Sequence, residues 1–188
     1  MEYFILVNSG GYFLYDVIGM WWFGLLEMDM TIHHSLCIGG IVVVLLQGQD
    51  AALVVAGLFV AEVSNPAMHV RVMLRNIGKR YTKAYEAAEY TYFVMFFFGR
   101  VVFGHPIVWN TVTCSSMNWL ARIVSLGVLA QSYQFLYRMY FIARARFAET
   151  SERSKRKIQI KWFEPMTKEQ LDTCDFFKKN KKIVDKLP

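Results

Sequence analysis

The apolar residues of this chain fall into five long runs separated by short polar segments. About 20 consecutive apolar residues are needed for a helix to cross the hydrocarbon core of a bilayer. The pattern therefore predicts an all-α integral membrane protein, a bundle of about five transmembrane helices with a basic C-terminal tail. The predicted spans are about 4–26, 31–47, 51–74, 84–104 and 117–142.

These runs also predict how the chain is organised. We assign residues 1–146 to a transmembrane domain and residues 147–188 to a tail that lies on the membrane surface or docks on a partner. Residues 104–116 are interpreted as a neutral connection between the last two spans that holds His105, Pro106 and Trp109.

The third run carries polar residues that lipid would not tolerate. Within residues 58–74, Glu62, Asn65 and His69 recur at the spacing of one helical face. An ionisable side chain at membrane depth costs about 2.5–3.5 kcal/mol on insertion scales, so this face is expected to point toward other helices or a wet cavity. Pro66 removes one backbone hydrogen bond and is expected to kink or break the helix here.

Two adjacent histidines, His33 and His34, lie near the start of the second run. Adjacent helical side chains point about 100° apart, so the two imidazoles cannot both face one centre. Asp29 precedes His33 by four residues, a spacing that allows its carboxylate to orient the imidazole as a general base. The alternative is that the pair anchors the helix at headgroup level.

Asp16, Arg100 and Arg122 also lie within apolar sequence, where they can pair with one another or with Glu62. A metal centre needs several converging His, Cys or carboxylate ligands. The chain has four histidines and no HxxxH or HxxHH pattern, so we predict no metal site. Its three cysteines are far apart, which indicates neither a zinc site nor a disulfide framework.

The net charge of +6 is concentrated near the C-terminus, because residues 1–143 hold eight Lys and Arg against eight Asp and Glu, whereas residues 144–188 hold thirteen against seven. Basic segments beside membrane spans mark the cytosolic or matrix side. With five spans, the basic loop 75–83 and the tail fall on the same side. No nucleic-acid-binding module is recognisable, so no nucleic acid is expected as a partner.

The tail itself contains a helical pattern. Thr167 and Gln170 have the spacing of a capping box, and Leu171, Cys174 and Phe177 recur at helical spacing. These residues predict a short helix that lies on the membrane or docks on another protein.

Three motifs in order, GYFLYD at 11–16, MTIHH at 30–34 and AEVSNPAMHVRVML at 61–74, resemble the TLC domain family. This membrane fold is shared by translocating-chain-associating membrane protein and the ceramide synthases. The similarity covers about residues 10–146. It implies an α-helical bundle with a lipid-accessible cavity, a role in lipid synthesis, transport or sensing, and a location in the endoplasmic reticulum, with the mitochondrial inner membrane as the alternative.

Two departures from the family pattern affect the expected function. Ceramide synthases follow their His pair with a pair of aspartates in the next span, and this chain has no such pair there. The resemblance is therefore to the branch without assigned catalysis. Family members also usually carry one or two spans ahead of the GYF-type motif, so we expect this chain to be short at its N-terminus.

Together these features predict a non-catalytic membrane protein that binds a phospholipid or other lipid in a polar seam, needs no other cofactor, and serves as a subunit of a hetero-oligomeric membrane complex. If the protein is instead a lipid-modifying enzyme of the acyltransferase type, His33 or His34 is the base and Glu62 orients it. A lipid transporter or scramblase is the third possibility. The predicted lipid-binding residues are Asp16, His34, Glu62, Asn65, His69, Arg100 and Arg122.

Overall fold

The computed structural model describes residues 1–24, 27–48, 50–167 and 170, and all regular structure in these residues is helical. The elements are α1 (Glu2–Trp22), α2 (Met28–Gln47), α3 (Ala51–Glu62), α4 (Asn65–Asn76), α5 (Lys83–Phe96), a π-helical segment (Phe97–Phe103), α6 (Gly104–Thr113) and α7 (Trp119–Lys155). Because α4 follows α3 closely and the π-helical segment joins α5 to α6, the elements form five long helical stretches. The all-helical fold predicted from the sequence is confirmed.

Three of these stretches are long and apolar enough to cross a membrane. They are Met28–Gln47, Ala51–Asn76 and Lys83–Thr113, judged by length and composition among the described residues. The first of these, Met28–Gln47, is followed by Gly48, whose left-handed φ of 71° lets its amide bond to the Val44 carbonyl.

The fourth stretch is longer than predicted. Residues 104–116 were expected to form a connection, but they are helical as far as Thr113. Pro106 lacks an amide hydrogen, yet it lies in the first turn of α6, where a missing donor is tolerated. The ring of His105 donates from Nδ1 to the Val101 carbonyl. The prediction was wrong because Gly-His-Pro was interpreted as a helix end.

The last helix also extends past its predicted span of 117–142. Since α7 continues to Lys155, the domain boundary predicted at residue 146 lies inside a helix. Arg146, Glu149 and Arg153 on this part of α7 are all buried in ion pairs, which explains why a charged sequence remains helical and packed.

The third stretch is interrupted at Val63 and Ser64, between α3 and α4. Pro66 lies in the first turn of α4, so the predicted interruption at this proline is confirmed. Glu62 ends α3, whereas Asn65 begins α4.

Contacts along the chain define two compact units. The first unit contains Met1–Val63 and Phe96–Phe135, and the second contains Ser64–Met95 and the described residues from Leu136 onward. The first unit has an apolar core between α1, α2 and α3, in which Leu6, Phe13 and Ile41 are at most 2% exposed. The π-helical segment and α6 pack against α3.

The second unit is built around charged side chains. Glu89 on α5 is 2% exposed and accepts hydrogen bonds from Arg71 Nε on α4 at 2.9 Å and from Arg146 Nε on α7 at 2.6 Å. The hydroxyl of Tyr85 donates to the same carboxylate at 3.2 Å. Both guanidinium groups lie over the Tyr85 ring, 5.7 and 4.9 Å from its centroid.

Further ion pairs extend this group along α7. Arg146 Nη1 donates to Glu149 Oε2 at 2.6 Å, and Arg153 contacts both Glu149 and Glu86. We call these six residues the ionic cluster: Arg71, Glu86, Glu89, Arg146, Glu149 and Arg153. Three positive charges meet three negative charges, so the cluster is neutral.

The first part of the predicted tail packs against the start of α5. The amide of Lys83 donates to the Lys161 carbonyl at 2.9 Å, and Ile160 and Met166 are buried nearby. A helix start has amides without partners inside the helix, and the tail supplies an acceptor. The end of the basic loop 75–83 and the first part of the tail are therefore in contact.

The capping box at the end of the described chain is also confirmed. The Thr167 amide donates to Gln170 Oε1 at 3.0 Å, and the Gln170 amide donates to Thr167 Oγ1 at 3.3 Å. The helix predicted from Leu171, Cys174 and Phe177 lies outside the described residues.

Candidate functional site

The two adjacent histidines of α2 contact different carboxylates. His33 Nε2 lies 2.9 Å from Glu62 Oε1 on α3, and His34 Nε2 lies 2.8 Å from Asp16 Oδ2 on α1. The predicted divergence of the two imidazoles is thus confirmed. The carboxylate that contacts His33 at this distance is Glu62, whereas Asp29, the partner predicted from spacing, accepts a hydrogen bond from Gln134 at 3.1 Å.

His34 uses both ring nitrogens in contacts with oxygen acceptors. Its Nδ1 lies 2.7 Å from the carbonyl of Met30, which can only accept, so Nδ1 carries a hydrogen. Its Nε2 faces the Asp16 carboxylate, and the ring itself is buried. With neither nitrogen available to a substrate, His34 holds α2 against α1.

His33 differs from its neighbour because only Nε2 contacts a carboxylate. The Glu62 carboxylate accepts a hydrogen bond from Nε2, so in the neutral imidazole Nδ1 is an acceptor. The Sγ atom of Cys37, one helical turn further along α2, lies 4.0 Å from Nδ1 and 3.8 Å from Nε2. This arrangement is chemically able to accept a proton from the thiol.

Arg100 reaches the same place from the π-helical segment. Its Nη2 donates to the Ala61 carbonyl and lies 4.0 Å from Glu62 Oε1. Ala61 lies near the end of α3, where backbone carbonyls lose their helical donors and need other partners inside a membrane. Close approach is possible because Gly99 has no side chain: a Cβ there would lie 2.7 Å from the Val60 carbonyl oxygen.

We call these six residues the histidine cluster: Asp16, His33, His34, Cys37, Glu62 and Arg100. Among them, His33, Cys37 and Glu62 place a nitrogen, a sulfur and an oxygen within 4.8 Å of one another, which is a donor set that zinc can use. The 2.9 Å contact between His33 and Glu62 has hydrogen-bond length, and a guanidinium lies 4.0 Å from the same oxygen. We interpret the group as hydrogen-bonded, and the absence of a metal site stays a prediction.

A partly open apolar cavity of about 110 Å³ is lined by residues of α2, α3, the π-helical segment, α6 and α7 in the first unit. Cys37 and Arg100 form part of its wall and connect it with the histidine cluster. Thr111, Ser125 and Ser132 add hydroxyl groups, whereas most of the remaining wall is aliphatic. We call this space the apolar cavity.

The other residues predicted to bind lipid are placed elsewhere. Arg122 donates to the Cys114 carbonyl at 2.7 Å and is not part of the histidine cluster, so its predicted pairing with Glu62 or Asp16 was wrong. Asn65 is half-buried on α4 and His69 is exposed, both in the second unit. The prediction that all three polar residues of the third run face inward is wrong for His69.

Sequence reasoning missed two features. Cys37 was set aside because it has no nearby cysteine, although its position four residues after His33 indicates a shared helical face. The ionic cluster was also missed. Its signal was the spacing of Glu86 and Glu89, three residues apart, and the matching set Arg146, Glu149 and Arg153 on the last helix.

The helical fold, the long apolar stretches and the charged side chains buried among them are typical of an integral membrane protein. A family model described as the TLC domain matches residues 1–144. The chain therefore belongs to the TLC domain family, as its three motifs indicated, and is a membrane protein involved in lipid biology. No solved structure matches it.

Proposed function

We propose that this protein binds the acyl chain of a lipid in the apolar cavity and serves as an accessory subunit of a larger membrane complex. The cavity is the observation that supports this proposal. Its aliphatic wall suits hydrocarbon, and Arg100 and the hydroxyl groups suit the polar end of a lipid. An engineered apolar cavity of about 150 Å³ binds benzene, so about 110 Å³ accommodates a short stretch of an acyl chain.

The lipid-binding proposal is tested by filling the cavity. Val128→Phe places a larger side chain in its wall, whereas Leu126→Phe changes a neighbouring residue that is 48% exposed and does not line it. Both proteins are purified in mild detergent, and bound lipid is quantified by native mass spectrometry. We expect V128F to lose most of its bound lipid and L126F to retain it. Equal retention by both variants would contradict the proposal.

The accessory-subunit proposal is supported by apolar surface on α1, where Phe4, Tyr15 and Trp22 are each at least 74% exposed. Purification from native membranes tests whether a protein covers this surface. We expect a partner protein to co-purify in fixed stoichiometry, and we expect Tyr15→Ser to reduce the amount of that partner. A monodisperse, partner-free wild-type protein would count against this part of the proposal.

A second candidate function is supported by the pair His33 and Glu62. An imidazole that a carboxylate orients through Nε2 is a suitable general base for a lipid-modifying reaction such as acyl transfer. His34 does not fit this role because both of its nitrogens are engaged. Loss of acyl-CoA turnover in His33→Gln would favour this function, and unchanged turnover would exclude His33 as the base.

The compartment follows from the family resemblance and is a proposal. We place the protein in the endoplasmic reticulum membrane with the tail in the cytosol, and keep the mitochondrial inner membrane, with the tail in the matrix, as the alternative. Loop 75–83 and the tail are both rich in basic residues, which supports this orientation. Protease protection of a C-terminal tag in sealed microsomes distinguishes the two sides of the membrane.

A further inference from the structure

The thiol of Cys37 lies at the point where the histidine cluster meets the apolar cavity. The Cys37 side chain lines the cavity and is only 5% exposed. A reactant therefore reaches the thiol through the cavity. Sγ lies 4.0 Å from His33 Nδ1 and 3.8 Å from His33 Nε2, and Nε2 lies 2.9 Å from Glu62 Oε1. A thiol, an imidazole and a carboxylate thus follow one another at the wall of a cavity suited to hydrocarbon.

We propose that Cys37 is an acylation site, which accepts a fatty acyl chain from an acyl thioester such as acyl-coenzyme A and carries it as a thioester. The stretch of the chain beside the thioester then occupies the apolar cavity, which is partly open. This inference rests on the proposed function, because it requires that the cavity holds an acyl chain, and it deepens that function by making the bound chain covalent.

The chemistry uses groups that the structure places in contact. The thiolate is the nucleophilic form of cysteine, and apolar surroundings disfavour it, so a thiol at this position needs a base beside it. His33 Nδ1 accepts the proton of Cys37 while Glu62 stabilises the resulting imidazolium. Sγ forms a bond to the acyl carbon, the bond from that carbon to the donor's sulfur breaks, and His33 returns the proton to the leaving thiolate.

A thioester suits this site better than an oxygen ester as the donor. The attacking and leaving groups are then both thiols, so one thioester replaces another and the exchange needs no oxidant or reductant. Arg100 lies on the same cavity wall, and its positive charge favours the negative charge that develops on the carbonyl oxygen.

Cys114 provides a natural comparison within the same unit. It lies after the end of α6, does not line the cavity, and its Sγ lies 3.0 Å from Ser116 Oγ. A thiol in that position can react with an acyl thioester from solution, but it has neither the imidazole nor the cavity. Labelling of Cys114 therefore measures nonspecific acylation.

The experiment uses the full-length protein in mild detergent, incubated with an alkyne-bearing C16 acyl-CoA. The attached label is quantified after denaturation, tested for release by neutral hydroxylamine, and mapped by peptide mass spectrometry. We expect a hydroxylamine-sensitive label on Cys37 that is absent from Cys37→Ala and retained by Cys114→Ala. His33→Gln should slow labelling about 100-fold, the usual contribution of a general base. Glu62→Gln should also slow it, and Glu62→Asp should restore part of the rate.

The outcomes separate this inference from the proposed function. A label that maps to Cys114 or Cys174 and not to Cys37, or a labelling rate of Cys37 unaffected by H33Q, overturns acylation at Cys37 even if lipid is still bound. Absence of label, with lipid lost from V128F but not from L126F, overturns the inference and leaves the proposed function standing. Absence of both label and bound lipid overturns both. One tightly held zinc ion per protein, lost in C37A, would also overturn it by showing a metal site. Mapping the label on the wild-type protein avoids dependence on the folding of any variant.

Discussion

The ionic cluster allows a quantitative prediction for Glu89, which pairs with both Arg71 and Arg146. Among the described ion pairs, Glu89 is the only carboxylate that pairs with Arg71. Replacing Glu89 with Gln keeps the side-chain shape but removes its negative charge. The balance then changes from three positive and three negative charges to three and two. Two guanidinium groups, each less than a tenth exposed, lose a carboxylate at 2.9 and 2.6 Å.

The expected cost follows from these contacts. Breaking a buried ion pair by removing one partner costs about 3–5 kcal/mol, since it leaves an uncompensated charge. Arg146 keeps Glu149 as a second partner at 2.6 Å, and the amide oxygen of Gln can still accept one hydrogen bond. We therefore expect E89Q to lose about 3 kcal/mol of unfolding free energy, near the lower end of that range.

Equilibrium unfolding by SDS in mixed micelles, followed by circular dichroism, measures the difference. The matched control is Glu164→Gln, which disrupts a pair with Lys161 whose side chains are both 71% exposed and should cost no more than about 1 kcal/mol. Adding Arg71→Met to E89Q removes the cation that E89Q leaves without a carboxylate and should restore part of the stability. If E89Q were as stable as E164Q, the claim that buried, balanced charges in the ionic cluster stabilise the protein would be refuted.

Three further predictions concern the other packed sites. Gly99→Ala would place a methyl group 2.7 Å from a carbonyl oxygen of α3 and should lower the unfolding free energy by about 1–3 kcal/mol. The control Gly11→Ala adds a methyl group with nothing within 4 Å and should not destabilise the protein. Equal stabilities of the two variants in the SDS titration would contradict this packing. Asp16→Ala leaves Nε2 of the buried His34 without its carboxylate and should cost about 1–3 kcal/mol in the same titration, so an unchanged midpoint would argue against the pair. Burial, opposed by two neighbouring arginines, raises the pKa of Glu149 above its ordinary 4.5. A carboxyl group whose pKa is raised in the folded state stabilises the protein at low pH, and this stabilisation is lost as the pH rises through the folded pKa. The difference in unfolding free energy between wild type and Glu149→Gln should therefore shrink as the pH rises above 4.5. A difference that grows with pH would contradict a raised pKa of Glu149.

Helix number and type could be predicted from the sequence because they depend on the length of apolar runs. The connection at 104–116 could not. Whether Gly-His-Pro ends a helix depends on the preceding turn, and that turn is π-helical where Gly99 approaches the Val60 carbonyl. This contact joins residues 39 positions apart, so no local pattern reports it.

The candidate site was predicted in part. Residue types and spacing identified Asp16, both histidines, Glu62 and Arg100, since polar residues in apolar sequence need partners. Which carboxylate meets which imidazole depends on the packing of α1 and α3 against α2, and the sequence does not contain that information. From the sequence alone, Cys37 cannot be distinguished from an ordinary core cysteine, because the cavity beside it depends on the packing of several helices.

The order in which the ribosome makes the ionic cluster affects how this membrane protein is assembled. Arg71 emerges before Glu89, but Arg146 is synthesised 57 residues after it. At roughly 5–20 residues per second, that delay is about 3–11 s. During this interval α5 carries acidic side chains without the arginines of α7, so the insertion machinery or water must shelter them. The ionic cluster of the second unit can therefore be completed only after this part of α7 has been synthesised.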